Sequence, residues 1–301
     1  PFMERLRNTK VKLFLDFLHG VSSFDYQNRP KSFVIDTLDQ HGFSKLQYVA
    51  DALQWVTDHL CQKVFSIKTS VNELYVNQGA WHLQTAQDTF AVEKVILATG
   101  ATPKSLDLEY TNPKCIHLEA ALKPDQLAKV IQEDDTVAVF GSSHSAMIII
   151  KNLLDAGAKK VMNFFTSPLR YAVDMGDWVL YDNTGLKGQT ALWARQNISK
   201  SLHPKVERYL CHPEIIDAHF PSCSKVVYAI GFKPRVPKIQ SINPAGYDKT
   251  SGIIAPGLFG TGIAFPRLVT DPNGNQEMNI GLFKFMTDIQ KVLPIWMRYG
   301  L

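Results

Sequence analysis

The chain has no run approaching the 18 or so apolar residues that a membrane-spanning helix requires; Met147-Ile148-Ile149-Ile150 is cut by Lys151 and reads as a buried helix segment. No membrane partner is expected. Cysteine is scarce, with Cys61, Cys115, Cys211 and Cys223 widely spaced and no CxxC pair. That spacing excludes a dithiol centre of the usual kind and suits a reducing, cytoplasmic setting. Cys211-His212 with His219 and Cys223 match no common zinc pattern, so no metal is expected. Charge of one sign is also lacking. The net of +4, from 32 basic and 28 acidic residues, is too small and too scattered for a nucleic-acid footprint. With 45% apolar and 20% charged residues in 301, disorder is excluded and there is material for about two cores. No Ser-His-Asp or Cys-His arrangement emerges from spacing, so the catalytic residues are unknown at this stage.

What is present is a sequence of elements. Residues 1 to 43 give little beyond an apolar Val11 to Leu18 and a loop-like Ser22 to Ser32. A helix is expected from Ser44, with Ser44 and Gln47 as a capping box, Phe43 and Tyr48 as a staple, and Leu46, Val49, Ala50, Leu53, Val56 and Leu60 on one face. The period then changes to two. Strands are expected at Val64 to Ile67, Val71 to Val76, Trp81 to Thr85 and Val95 to Ala98. A helix from Asp125 to Gln132 precedes a strand-turn-helix-strand unit running from Thr136 to Phe165. A helical patch near Lys205 to Leu210, strands at Lys225 to Ile230 and Gly257 to Phe259, and a helix from Asn279 to about Val292 complete the reading.

The most informative stretch is Val137-Ala138-Val139-Phe140-Gly141-Ser142-Ser143-His144-Ser145-Ala146. A buried strand runs into a tight turn and a helix, which aims backbone N–H groups and the positive helix end at one point, a seat for a pyrophosphate. Gly141, Ser143 and Ala146 occupy the three glycine places of the dinucleotide fingerprint: the turn, the approach of the phosphates, and helix–strand packing. Two outcomes stay open for Ser143, since its hydroxyl can bind a phosphate oxygen or its Cβ can obstruct one. A plain strand–turn–helix of any α/β protein carries the same pattern. The following strand ends Phe164-Phe165-Thr166-Ser167 with no acid for the ribose hydroxyls of NAD, and Arg170 follows. This tilts the expectation toward NADPH, with NADH open and a solvated loop charge as the plain alternative for Arg170.

Val95-Ile96-Leu97-Ala98-Thr99-Gly100-Ala101 with Pro103 resembles the junction at which two-dinucleotide flavoproteins leave their FAD domain. Val226-Val227-Tyr228-Ala229-Ile230-Gly231-Phe232 with Pro234 resembles the junction of return. Between them, Gly-Ser-Ser-His-Ser-Ala is similar to the NADPH motif of flavin-dependent monooxygenases, among them the flavin-containing and the lysine/ornithine N-hydroxylating enzymes. The broader superfamily is that of the pyridine nucleotide–disulfide oxidoreductases. The resemblance implies an α/β, two-dinucleotide-binding (Rossmann-like) flavoprotein architecture. Residues 1–105 and 236–301 would form an FAD-type domain, and 106–235 an inserted NAD(P)H domain. It implies FAD and NADPH as cofactors, with Gly141, Ser142, Ser143, His144, Ser145, Ala146 and Arg170 on the nicotinamide nucleotide. Thr99, Gly100, Gly231, Gly260, Thr261 and Gly262 would serve at the junctions and the flavin.

Departures from the family pattern set the alternative. Thr261 stands where the superfamily carries an acid on the flavin's hydroxyls, and no GxGxxG precedes Lys63. A βαβ unit takes upward of about 30 residues, so one reading is that about 50 or more residues precede Pro1. The other is that the FAD site was never intact. The expected activity is hydride transfer from NAD(P)H to flavin, with O₂ or a small molecule as acceptor. The alternative is a cofactor-poor relic of this fold acting as a binding or regulatory module. The missing CxxC argues against a dithiol-type disulfide reductase.

Overall fold

The structure, a computed structural model, describes residues 2–3, 11, 33–39, 44–110 and 112–301. The expectations for residues 12–32 and for Phe43 lie outside these. The chain divides into two units: Pro103–Lys233, and a second assembled from Phe2–Thr102 with Pro234–Leu301.

The second unit begins with helix α1, Leu46–Lys63. It starts two residues later than expected because Ser44–Lys45 pairs antiparallel with Phe2–Met3, and the Gln47 side chain donates forward to Asp51 instead of closing a capping box. Val49 and Ala52 are wholly buried, whereas Ala50 faces solvent. The expected strand at Val64 to Ile67 is not formed. These residues have no partner strand among the described ones, and Phe65 is 87% exposed. Strands β1 (Glu73–Asn77), β2 (Ala80–Gln84) and β3 (Thr89–Val92) then form an antiparallel meander. Gln78 and Gly79, with φ of 49° and 75°, make the two-residue turn whose twist matches the strands it joins. Strand β4 is Val95–Leu97.

The unit Pro103–Lys233 follows: β5 (Lys114–Cys115), β6 (Thr136–Phe140), α2 (His144–Asp155), β7 (Lys160–Phe165), α3 (Gly188–Ala194), β8 (Val206–Leu210), α4 (Pro213–His219) and β9 (Lys225–Tyr228). The strands form one all-parallel sheet in the order β8-β7-β6-β9-β5. A parallel strand covered on both faces needs a continuous apolar run, which Val137-Ala138-Val139-Phe140 supplies. On one face Met147, Ile149, Ile150 and Leu153 of α2 pack against Val137, Val139 and Val161. On the other, Phe140, Phe164 and Phe220 form an aromatic cluster, with Phe140 and Phe164 stacked at 4.8 Å. Each such side chain contributes about 1.5–3 kcal/mol on burial. Helix α2 stops at Gly157 (φ +88°), where Ala158 N–H bonds Leu153 O and Gly157 N–H bonds Leu154 O. The helical patch expected at Lys205 to Leu210 is instead β8, because register with β7 (Val161 opposite Val206) overrides weak local preference. The helix expected at Asp125 to Gln132 contracts to one turn, Pro124–Leu127.

The chain returns to the second unit with β10 (Lys238–Ile239), parallel to β1, then β11 (Ile253–Ala255) and β12 (Leu258–Gly260). Strand β12 lies parallel to β4, with Gly260 opposite Leu97. A hairpin of β13 (Arg267–Thr270) and β14 (Gln276–Asn279) leads into α5, Leu282–Arg298. The helix starts after its expected position because Asn279 remains in the ladder opposite Arg267. Among the described residues no helix is long and apolar enough to cross a membrane.

Candidate functional site

A cleft of about 540 Å³ opens in the unit Pro103–Lys233 at the carboxyl ends of its central strands. Its walls are Gly141–Ser143 after β6, Thr166, Ser167, Pro168 and Arg170 after β7, Cys211 after β8, and Ala229–Gly231 after β9. Strands β6 and β9 are neighbours in the sheet although β7 and β8 intervene in sequence, so the strand order reverses between them. A crevice at such a switch point is where open α/β sheets bind ligands.

Gly141 makes the turn possible. Its φ is +122°, and a Cβ there would lie 2.3 Å from the carbonyl oxygen of Ala229. Its N–H donates to Phe164 O at 2.8 Å, while Ala229 N–H donates to Phe140 O at 2.8 Å. Ser143 takes the N-cap position of α2, yet its side chain accepts no bond from the helix. The first-turn amides of Ser145 and Ala146, which have no acceptor within a helix, therefore lack that cap. Ser143 is exposed and lines the cleft, Ser145 is half-buried, and Ala146 is wholly buried against the strand, the packing place of the third glycine. His144 is half-buried at the first helical position.

Behind the turn lies a polar network that the sequence reading missed. Asn163 is wholly buried in β7; its side-chain amide donates to Val139 O at 2.9 Å and to Gly141 O at 2.7 Å. Its Oδ1 accepts from Arg208 Nε at 2.9 Å, and Arg208 Nη2 donates to Ser142 Oγ at 3.3 Å. The Arg208 guanidinium lies 4.2 Å from the centre of the Phe165 ring. Burial lowers Arg208 from its ordinary value. Asn163 was visible as one amide inside the otherwise apolar Val161-Met162-Asn163-Phe164-Phe165, a residue that must find partners when buried.

Arg170 reaches the cleft from an exposed turn and stands 5.3 Å over the Tyr181 ring. Gly231 (φ +93°) lines the same cleft, with open space where a Cβ would sit. Burial pushes the Cys211 thiol up, which keeps it protonated and a poor nucleophile. Cys223 is buried against Met162 Sδ at 3.7 Å, and His219 stacks on Tyr209 at 4.1 Å. Among the described residues no group of His, Cys, Asp or Glu is placed to hold a metal. The cleft is thus furnished for binding an anion through main chain, hydroxyls and guanidinium, with no side-chain acid–base pair on its walls.

The remaining candidates lie in the other unit, at the ends of parallel β4 and β12. The Thr99 hydroxyl donates to Arg235 O, and Thr261 N–H donates to Leu97 O at 3.0 Å. Gly100 (φ +70°) follows Thr99 at the end of β4. Gly260 is held tight, a Cβ there falling 2.4 Å from the Phe265 ring, whereas Gly262 (φ +73°) has open space. The Thr261 hydroxyl has no hydrogen-bond partner among the described residues, although the residue is only 6% exposed. The Arg267 guanidinium, also buried, donates to Gly260 O at 3.2 Å beneath this corner.

This architecture has known counterparts. The L-lysine 6-monooxygenase of Pseudomonas syringae superposes with a TM-score of 0.55 at 14% identity, covering 98% of this chain and 82% of that one. An ornithine N-hydroxylase of Kutzneria sp. 744, solved with reduced FAD, NADP⁺ and L-ornithine, gives 0.52 at 12% identity, covering 98% and 83%. T. acidophilum thioredoxin reductase gives 0.53 at 13%, covering 83% and 80%. These likenesses establish a mixed α/β fold of the Rossmann-type flavoprotein kind. In sequence, the monooxygenase AgnR1 of Paecilomyces divaricatus is 31% identical over 336 aligned positions, spanning 96% of this chain and 86% of the relative. The family model described as L-lysine 6-monooxygenase/L-ornithine 5-monooxygenase matches residues 14–176. The chain accordingly belongs to the L-lysine 6-monooxygenase/L-ornithine 5-monooxygenase family, and is a monooxygenase-like flavoprotein oxidoreductase.

Proposed function

We propose that the chain is an NADPH-dependent FAD monooxygenase. In this reading Pro103–Lys233 holds the nicotinamide dinucleotide, and the unit formed with Pro234–Leu301 contributes to the FAD site. The observation that carries it is the turn at Gly141, forced open by the Ala229 carbonyl and followed by an uncapped helix terminus at a strand switch point. A diphosphate carries the charge and acceptor oxygens that such a terminus lacks. Thr166, Ser167 and Arg170 stand where the adenosine ribose would lie, with no acid to repel a 2′-phosphate, which supports NADPH over NADH.

The fit to FAD rests on Gly262, whose α-carbon faces open space, and on the unbonded Thr261 hydroxyl. These offer main chain and one hydroxyl where a carboxylate is usual in the superfamily, so flavin would be held by hydrogen bonds without that charge. When bound, FAD supplies the hydride acceptor and the electrons that O₂ needs to oxygenate a small-molecule substrate. This chain's part is to hold the dinucleotide's diphosphate on Gly141–Ala146, to fix its ribose beside Arg170, and to shield the cleft floor with Phe140 and Phe164. The four free cysteines suit a reducing, cytoplasmic setting.

The test is anaerobic addition of NADPH to the purified protein, followed by flavin absorbance in the visible. Bleaching is expected, with Gly141→Val abolishing it. A flavin-loaded protein indifferent to NADPH defeats this reading.

A further inference from the structure

We propose that Ser167 is a phosphorylation site for a proline-directed protein kinase, and that the phosphate it receives closes the cleft to dinucleotide. The modification stands on the chain's own features. Its consequence rests on the reading of the cleft as a dinucleotide site and adds a regulation to it.

The sequence is the first argument. Ser167-Pro168-Leu169-Arg170 places a proline directly after a hydroxyl and an arginine three residues on from it. Proline has no N–H and a fixed φ, and it turns the residue before it to extended backbone. The segment matches a kinase groove with no acceptor at the proline position and an acidic contact for the arginine. The chain has one other hydroxyl–proline pair, Thr102-Pro103. Thr102 lies within a paired strand, Ala101–Pro103, and the residue three on from it is Ser105, which has no charge.

Access is the second. Between the end of β7 at Phe165 and the bridge of Tyr171 to Leu186, residues 166–169 belong to no helix or strand. Among the described residues they make no backbone hydrogen bond. Thr166, Ser167 and Pro168 are exposed, and the Ser167 hydroxyl has no hydrogen-bond partner among the described residues. A kinase can draw this segment into its groove without opening a ladder or a core, so local rearrangement costs little.

Charge is the third. Arg170 is the one charged side chain among the described residues that line the cleft. A phosphoserine carries about −1.5 to −2 charges at pH 7, so at position 167 it outweighs that cation and leaves the wall negative. It also offers the Arg170 guanidinium a charge-assisted pair and withdraws it from any ligand. A dinucleotide, anionic through its diphosphate, then meets repulsion where the unmodified wall attracts it. In the transfer itself Ser167 Oγ attacks the γ-phosphorus of ATP, and the bond from that phosphorus to the β,γ-bridging oxygen breaks. ADP leaves, and the hydroxyl proton passes to the kinase's catalytic carboxylate.

In the experiment, flavin-loaded protein is treated with a cyclin-dependent kinase and Mg²⁺-ATP and then freed of nucleotide. Mass spectrometry locates the phosphate, and calorimetry measures NADP⁺ affinity. One phosphate per chain is expected, on Ser167. Thr102→Ala should accept it as wild type does, Arg170→Met should accept it more slowly, and Ser167→Ala should accept none. Phosphorylation should weaken NADP⁺ by about tenfold or more, the equivalent of about 1.4 kcal/mol, and a phosphatase should restore the affinity of the same sample. Kinase treatment should leave Ser167→Ala at its own untreated affinity. A bare Ser167 after treatment, whether or not phosphate lands elsewhere, overturns the proposal. Full phosphorylation of Ser167 with NADP⁺ affinity unchanged also overturns it. If neither form binds NADP⁺ although Ser167 has taken the phosphate, the dinucleotide reading fails and the proposed consequence with it. The phosphate found on Ser167 and the lack of binding by untreated protein mark that failure off from the other two.

Discussion

The side-chain amide of Asn163 holds the carbonyl of Gly141 at 2.7 Å, tying the buried middle of β7 to the turn that follows β6. The same amide bonds Val139 O, and its oxygen steadies Arg208. Asn163→Leu fits the volume but leaves the Gly141 carbonyl and the Arg208 Nε without the partner that Asn163 gives them. Each buried unsatisfied group costs about 1–3 kcal/mol, so a fall of several kcal/mol in unfolding free energy is expected. NADP⁺ and NAD⁺ should both bind more weakly, because the turn itself loosens. A leucine variant with unchanged stability in urea would show the network to be dispensable.

Gly141→Ala makes a sharper case. The φ of +122° is strained for any residue with a side chain, and the new methyl would meet Ala229 O at 2.3 Å. Backbone strain of this kind costs about 1–3 kcal/mol before the clash is counted. The loop must move off the β9 end to relieve it, so dinucleotide affinity should fall by about 100-fold or more, the equivalent of about 3 kcal/mol. Gly231→Ala is the control, having a positive φ but open space around its α-carbon. It should cost only the conformational strain, about 1 kcal/mol. Calorimetric titration of the two variants with NADP⁺ separates them; equal losses would deny the close approach its role.

The Gly141 turn was legible because a strand of small apolar residues, a glycine and an amphipathic helix obey local rules. So were the meander from Glu73, with its Gln78-Gly79 turn, and the stop at Gly157. Strand β8 was not, since its pairing with β7 is a contact across some 45 residues that no local pattern encodes. The α1 cap failed for a similar reason: Ser44 is drawn into a ladder with Phe2–Met3. Val64 to Ile67 alternates like a strand but has no partner strand among the described residues. Within the site, the sequence pointed to the residues that line the cleft, such as Ser143 and Arg170, and passed over Asn163 and Arg208. These act from neighbouring strands, and only the sheet order brings them behind the turn.

Acid should loosen the unit Pro103–Lys233 through Asp135. Burial pushes its carboxyl up, but the Lys225 ammonium, the Ser224 hydroxyl at 2.6 Å and the Gln132 N–H at 2.7 Å outweigh that and leave it below its ordinary value. A carboxyl lowered on folding contributes its stabilisation fully above its unfolded pKa, near about 4. That contribution is lost as pH falls through the lowered, folded value. Asp135→Asn should cost about 3 kcal/mol at neutral pH, since it leaves Lys225 largely buried without its anion. Below about pH 4 the gap between variant and wild type should begin to narrow, and it closes only below the lowered, folded value, where protonation has removed the same charge. Urea midpoints from pH 3 to 7 test this; a gap that does not narrow below about pH 4 argues against the ion pair as its source.

The second unit depends in a comparable way on Trp296. Its indole is 1% exposed, stacks on Phe259 at 5.1 Å and donates to Ser251 O at 2.8 Å. It also lies 5.6 Å beneath the Arg267 guanidinium, whose Nε has no partner. Phe259 leads directly into Gly260-Thr261-Gly262, so the tryptophan supports the strand end from below. Trp296→Ala should cost about 3–5 kcal/mol through the cavity it leaves. Trp296→Phe should cost nearer 1 kcal/mol, losing the indole hydrogen bond and keeping most of the stack. If the corner at Thr261 holds flavin, the alanine variant should also lose flavin on gel filtration under conditions where the phenylalanine variant keeps it. Stability lost with flavin fully retained would mean that Trp296 supports the core alone, and that the corner it underlies does not contact the flavin.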